Sequence, residues 1–136
     1  MSSEVRCFGC AVGLLVALSI LGSCSSRSFK PGYVSLADLA SLNQGRLVNV
    51  SLGMAKDQVV AVMGTEKAET HDGVVHNPWT VEAFTGGNGN QYEVLYYVTR
   101  PNQPFTPVRK TLTTPIVLKD GRVVGWGDDA LEQASK

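Results

Sequence analysis

His71, Asp72 and His76 lie close enough together to suggest metal ligands. A zinc site needs three or four protein donors, however, and the remaining cysteines, Cys7, Cys10 and Cys24, are far away near the start of the chain. The two histidines therefore read as part of a solvated connection, and neither a metal nor a cofactor is expected. Gly86-Gly87-Asn88-Gly89-Asn90 has the glycine content of a phosphate loop, yet it stands between two β-rich stretches and lacks the following Lys, Ser or Thr and helix. It reads as a turn. No serine sits in a Gly-x-Ser-x-Gly pattern, and the histidines have no acidic partner beyond Asp72. Glu82 and Glu93 could approach across a hairpin, where solvation is the simpler expectation. The census names no catalytic residue, so the expectation is a non-enzymatic protein.

Cys24 is the exception, because its surroundings point to a modification. Arg6 precedes Cys7 to Ser23, a charge-free stretch containing Leu14, Leu15, Val16, Ala17, Leu18, Ile20 and Leu21. A short n-region followed by such an h-region has the form of an export signal. The stretch ends in Leu21-Gly22-Ser23-Cys24, an aliphatic residue and two small ones before a cysteine, which resembles the lipobox of bacterial lipoproteins. That resemblance implies diacylglyceryl transfer to the Cys24 thiol and cleavage after Ser23. Ser25, where inner-membrane lipoproteins carry a retention Asp, implies passage to the periplasmic face of the outer membrane. The competing reading is an uncleaved membrane anchor, since about 17 to 25 apolar residues can span a bilayer. Cleavage would remove Cys7 and Cys10, leaving no disulfide.

Charge adds no further partner. Twelve basic and twelve acidic residues cancel, so the chain lacks the footprint of a nucleic-acid binder, and 43% hydrophobic with 18% charged residues is the balance of one globular domain. Residues 24–34, with Ser25, Ser26, Ser28, Pro31 and Gly32, have tether composition, and the domain is expected over 35–136. Ser35 followed by Asp38, then Leu36, Leu39 and Leu42, predicts a helix stopping at Gly45. Val59, Val60 and Met63 predict a second helix over Lys56 to Met63, stopped by Gly64, with Ala55 as a poor N-cap and Gln58 supplying half a capping box.

From Trp79 the period becomes two. Residues to Phe84 and then Gln91 to Thr99 form a hairpin around the Gly-Asn turn, Arg100 to Thr113 reads as a loop with three prolines, and Asp120-Gly121 between two β-rich runs predicts a type I′ turn. Asp128 to Lys136 is polar and reads as a tail with one helical turn capped by Asp128 or Asp129. The expected architecture is α+β, with two short helices packed on one face of a three- to four-stranded antiparallel sheet. If Trp79, Val81, Ala83, Tyr92, Val94, Tyr96 and Val98 meet the helices, then Phe84, Leu95 and Tyr97 lie on an open face. Such an aromatic cluster would serve as a partner-binding patch unless the Arg100 to Thr113 loop, with Phe105, covers it.

Val50-Ser51-Leu52-Gly53-Met54-Ala55-Lys56-Asp57-Gln58-Val59, followed by Met63-Gly64, resembles the LGMxxxxVxxxxG opening of the SmpA/OmlA, or BamE-like, lipoproteins. Thr114 to Gly127 is similar to the closing hairpin of a related family of uncharacterised bacterial lipoproteins. The resemblance implies a small ααβββ domain and an accessory role in outer-membrane protein assembly or envelope integrity, with an envelope protein as partner. Related folds also bind and inhibit enzymes, so a periplasmic binder regulating an enzyme or small ligand is the alternative.

Overall fold

The computed structural model describes residues 31–100 and 106–136. The signal, Cys24, most of the expected tether and Phe105 lie outside the described residues.

Regular structure is present within the stretch whose composition suggests a tether. Tyr33–Val34 (β1) runs parallel to Lys67–Thr70 (β2), which turns back antiparallel into Gly73–Val75 (β3). Between β1 and β2 come helices Leu36–Leu47 (α1) and Lys56–Met63 (α2). Four antiparallel strands follow in sequence order: Thr80–Thr85 (β4), Gln91–Val98 (β5), Thr113–Lys119 (β6) and Arg122–Trp126 (β7). A third helix, Asp128–Ser135 (α3), comes after them. The fold is thus α+β as expected, but the described residues form three α-helices and two sheets. The expected boundary at 34/35 also moves, because Val34 packs with Leu39 and Ala68.

Local chemistry explains the element ends. Ser35 Oγ accepts from the Asp38 amide at 3.1 Å, capping α1, which continues through Gly45 to Leu47. Ala55 offers no such acceptor to α2, while Gln58 Oε1 accepts from the Ala55 amide at 3.0 Å. Asp120 and Gly121 adopt φ of 51° and 74°, the pair of positive values that a type I′ turn requires.

The helices do not share one face of the four-stranded sheet. Val59 and Met63 of α2 pack on Leu95, Tyr97, Ile116, Leu118 and Val123. Ala130, Leu131 and Ala134 of α3 pack with Tyr92, Val94, Tyr96 and Val117 on the other side. Helix α1 joins the small sheet to the large one through Leu39, Ala40, Ala68, Val75 and Val98. A fully buried aliphatic side chain such as Leu39 or Val59 stabilises by roughly 1.5–3 kcal/mol.

A buried polar knot ties these parts together. Asn43 and Asn77 exchange reciprocal amide hydrogen bonds of 2.9 and 2.8 Å. Asn43 Nδ2 also donates to Val98 O, and Asn77 Nδ2 donates to Met63 O and Gly64 O at the end of α2. Beside them Arg46 donates to Met63 O at 2.8 Å and grips both Glu66 carboxylate oxygens at 2.6 Å. That hydrogen bonding holds the Glu66 carboxyl below its usual range and outweighs the opposing effect of burial.

Two outcomes test this arrangement. Asn43→Ala leaves Asn77 and Val98 O short of partners and should destabilise by about 2–4 kcal/mol in denaturant melts, combining unmade bonds with a cavity. Glu66→Gln should cost on the order of 1 kcal/mol at neutral pH. The folded carboxyl has the lower pKa, so its contribution is present above the ordinary value near ~4.3 and is lost as pH falls through the folded one. The gap between parent and variant should accordingly close below about pH 4 and stay constant from about pH 6 to 8. A gap that persists in acid would show that the Arg46 pairing is not its source.

Candidate interaction surface

Leu95 and Tyr97, expected on an open face, are fully buried beneath α2. The physical reason is strand phase. Alternation separates the two sets of side chains but does not say which set meets the helix, and α2 sits on the Leu95–Tyr97 set. Phe84 does not join them, because it stands directly opposite Tyr92 in the ladder and cross-strand partners share a face. Its ring stacks on Tyr92 at 5.6 Å between centroids, half-buried on the side that α3 covers. The three residues therefore form no common patch.

Tyr97 carries a cost: its hydroxyl is buried with no hydrogen-bond partner among the described residues, and burial pushes its pKa up to about 12. Glu82 and Glu93 are also separated, being on opposite faces. Glu82 accepts from Lys110 at 2.6 Å, which holds its carboxyl below the usual range, while Glu93 pairs with Lys56. His71 and His76 are exposed, His71 lying 3.5 Å from Asp72, and no group of three metal-capable side chains forms among the described residues. No helix among those residues is long and apolar enough to cross a membrane.

Among the exposed large apolar side chains, Leu52, Val124 and Trp126 belong to the β7 margin, and the Leu52-Gly53-Met54 segment builds it. This segment lies along the β7 edge: Gly53 N donates to Val123 O at 2.7 Å, Val123 N to Met54 O at 2.9 Å and Lys56 N to Gly121 O at 3.1 Å. Arg122 reaches back to Gly53 O at 3.0 Å. Gly53 adopts φ of +80°, a region that side chains with a Cβ rarely enter. The turn places Met54 against the core and leaves Leu52 outside, 68% exposed.

Trp126, 39% exposed, shares a groove with Leu52, and Val124 of the same strand is 47% exposed. Leu52 and Trp126 line a groove of about 290 Å³ with Gly125, Asp129, Ala130 and Gln133. Val124 borders a second groove of about 250 Å³ that adjoins the first and shares Ala130 and Gln133 with it. Both depend on how closely α3 approaches β7, since a Cβ on Gly125 would lie 2.7 Å from that of Ala130. An exposed Trp beside aliphatic side chains is the composition of a binding hot spot. Sequence reasoning gives Leu52 only as part of a motif and Trp126 only within the stretch similar to a closing hairpin. The alternation Val123, Val124, Gly125, Trp126 is the available signal, but the irregular register between Val117 and Leu118 obscures it.

Residues 30–133 match the model of a family described as protein of unknown function, DUF3192. The chain belongs to the DUF3192 family. No curated protein and no solved structure matches it. The DUF3192 match takes in β1, both sheets and most of α3, so the β7 margin lies within it.

Within the DUF3192 domain, Gly53→Val should destabilise by roughly 1–3 kcal/mol through backbone conformation, since nothing lies within 4 Å of the added Cβ. Gly53→Asn should recover part of the loss, because Asn tolerates positive φ better than a β-branched residue. Thermal melts of the three forms check this. Equal melting temperatures would show that the turn adapts without strain.

Proposed function

We propose that this DUF3192 protein is a lipid-anchored, non-enzymatic component of the bacterial cell envelope whose domain binds a protein partner through Leu52, Val124 and Trp126. The carrying observation is the exposure of these three large apolar side chains around one sheet margin. Single exposed apolar residues are ordinary on protein surfaces, whereas an aromatic and two aliphatics flanking adjoining grooves form a patch. The Leu21-Gly22-Ser23-Cys24 lipobox and Ser25 support anchoring at the periplasmic face of the outer membrane. The similarity of the Leu52-Gly53-Met54 segment to SmpA/OmlA lipoproteins supports an accessory role in outer-membrane protein assembly or envelope integrity.

Two experiments test the anchor and the surface separately. The purified chain should carry the mass of a diacylglyceryl group on a new N-terminus at Cys24, and Cys24→Ala should release it from the membrane fraction. A Leu52→Glu/Trp126→Glu variant should lose partners captured from solubilised envelopes while its stability changes by no more than about 1 kcal/mol, as substitutions at exposed sites do. Retention of every partner by a folded double variant would refute the surface. An unmodified N-terminus would refute the anchor whatever the surface does.

A further inference from the structure

The two margins of the four-stranded sheet are treated differently. The β7 edge is sealed by Gly53 to Lys56, whereas β4 is the opposite edge and no strand pairs with its outer side among the described residues. Which backbone groups this leaves free follows from the β4–β5 turn. Gly86 N donates to Asn90 O at 2.9 Å, making that pair a hydrogen-bonded one. Bonded and non-bonded pairs alternate along an antiparallel ladder. Phe84, Glu82 and Thr80 therefore turn their amides and carbonyls toward Tyr92, Val94 and Tyr96, and Val81, Ala83 and Thr85 turn theirs outward.

Natural edge strands are protected by charge, proline or a bulge. β4 has no proline and keeps an unbroken register with β5. Its one charge, Glu82, is engaged by Lys110. Val81 is 45% exposed, and Ala83 and Thr85 are exposed too.

We infer that β4 pairs antiparallel with the β4 strand of a second copy of this chain, about a two-fold axis at Ala83. In that register Ala83 faces its own mate, Val81 faces Thr85 and Glu82 faces Phe84. The outward amides and carbonyls of Val81, Ala83 and Thr85 then all find partners, and no like charges stand opposite each other. A slip by two residues keeps the bonding phase but shortens the ladder, so the Ala83 register is the most complete. Because the β7 edge is sealed, the assembly closes at two copies instead of growing into a fibre. The contact is small, and the lipid anchor proposed above would favour it by confining both copies to one surface, although the pairing itself does not rest on that reading.

Cross-linking the full-length chain in its membrane tests the pairing. An Ala83→Cys chain treated with a short bis-maleimide should give a covalent dimer well above the parental level, and Val124→Cys, on the sealed margin, should not. Val81→Pro added to Ala83→Cys removes an amide that points away from β5, as edge strands allow. It should lower the cross-link yield about tenfold or more while the domain still melts cooperatively. Should the proline variant fail to fold, Val81→Lys replaces it, with the same loss expected. Equal yields from the Ala83→Cys and Val124→Cys chains would mean collision and overturn the inference. In the Ala83→Cys chain, an adduct with a protein of different mass, or a thiol that a monofunctional maleimide cannot label, would overturn it in favour of another chain or a covering segment. A thiol that labels fully there yet gives no dimer would overturn it outright.

Discussion

The reciprocal amide pair of Asn43 and Asn77 is the constraint around which the domain is arranged. A carboxamide hidden from water must place both hydrogens and its oxygen, and here that requirement is met by one residue from α1 and one from the approach to β4. Their remaining hydrogens go to the end of α2 and to Val98 of β5. Four separate parts of the chain are thereby fixed relative to one another. Hydrophobic contact alone would tolerate small slides of α1 over the sheet, whereas directional bonds do not.

With its C-terminal end held, α2 falls on the Leu95–Tyr97 side of the sheet and its N-terminal end meets the β6–β7 turn, where Lys56 N bonds Gly121 O. The same placement draws Gly53 to Lys56 along β7. Sealing of that edge and exposure of Leu52 are thus two results of one docking event. On the opposite face the sheet receives α3, seated over Gly125 and covering Val94 and Tyr96. The sheet becomes the middle layer of three.

Much of this can be read from residue types where a local rule decides. Positive φ at Asp120-Gly121, the unusual backbone at Gly53, the span of α2 and the strand content of β5 each follow from a few neighbouring residues. What cannot be read depends on distance. Asn43 and Asn77 stand 34 residues apart and carry no shared pattern. β2 and β3 hide in a polar stretch because of their pairs only Ala68 and Val75 are buried. Tyr33–Val34 looks like tether until β2 is present to pair with it. α3 turns just Ala130, Leu131 and Ala134 inward, too few to announce a helix, and the Leu95–Tyr97 patch is misplaced for the related reason that alternation leaves the choice of face undecided.

The position of α3 after every strand has a consequence for how the domain is made. As the chain emerges N-terminus first, the hairpin of β4 and β5 appears with Phe84, Tyr92 and Tyr96 on a face whose cover does not yet exist, and β6 and β7 only widen it. That face closes when α3 arrives and Gly87 N finds Ser135 O at the hairpin tip. Until then the nascent chain displays an aromatic sheet surface, so the interval between the emergence of Tyr96 and that of Ala134 is when a chaperone has most to hold and misassociation has most to gain.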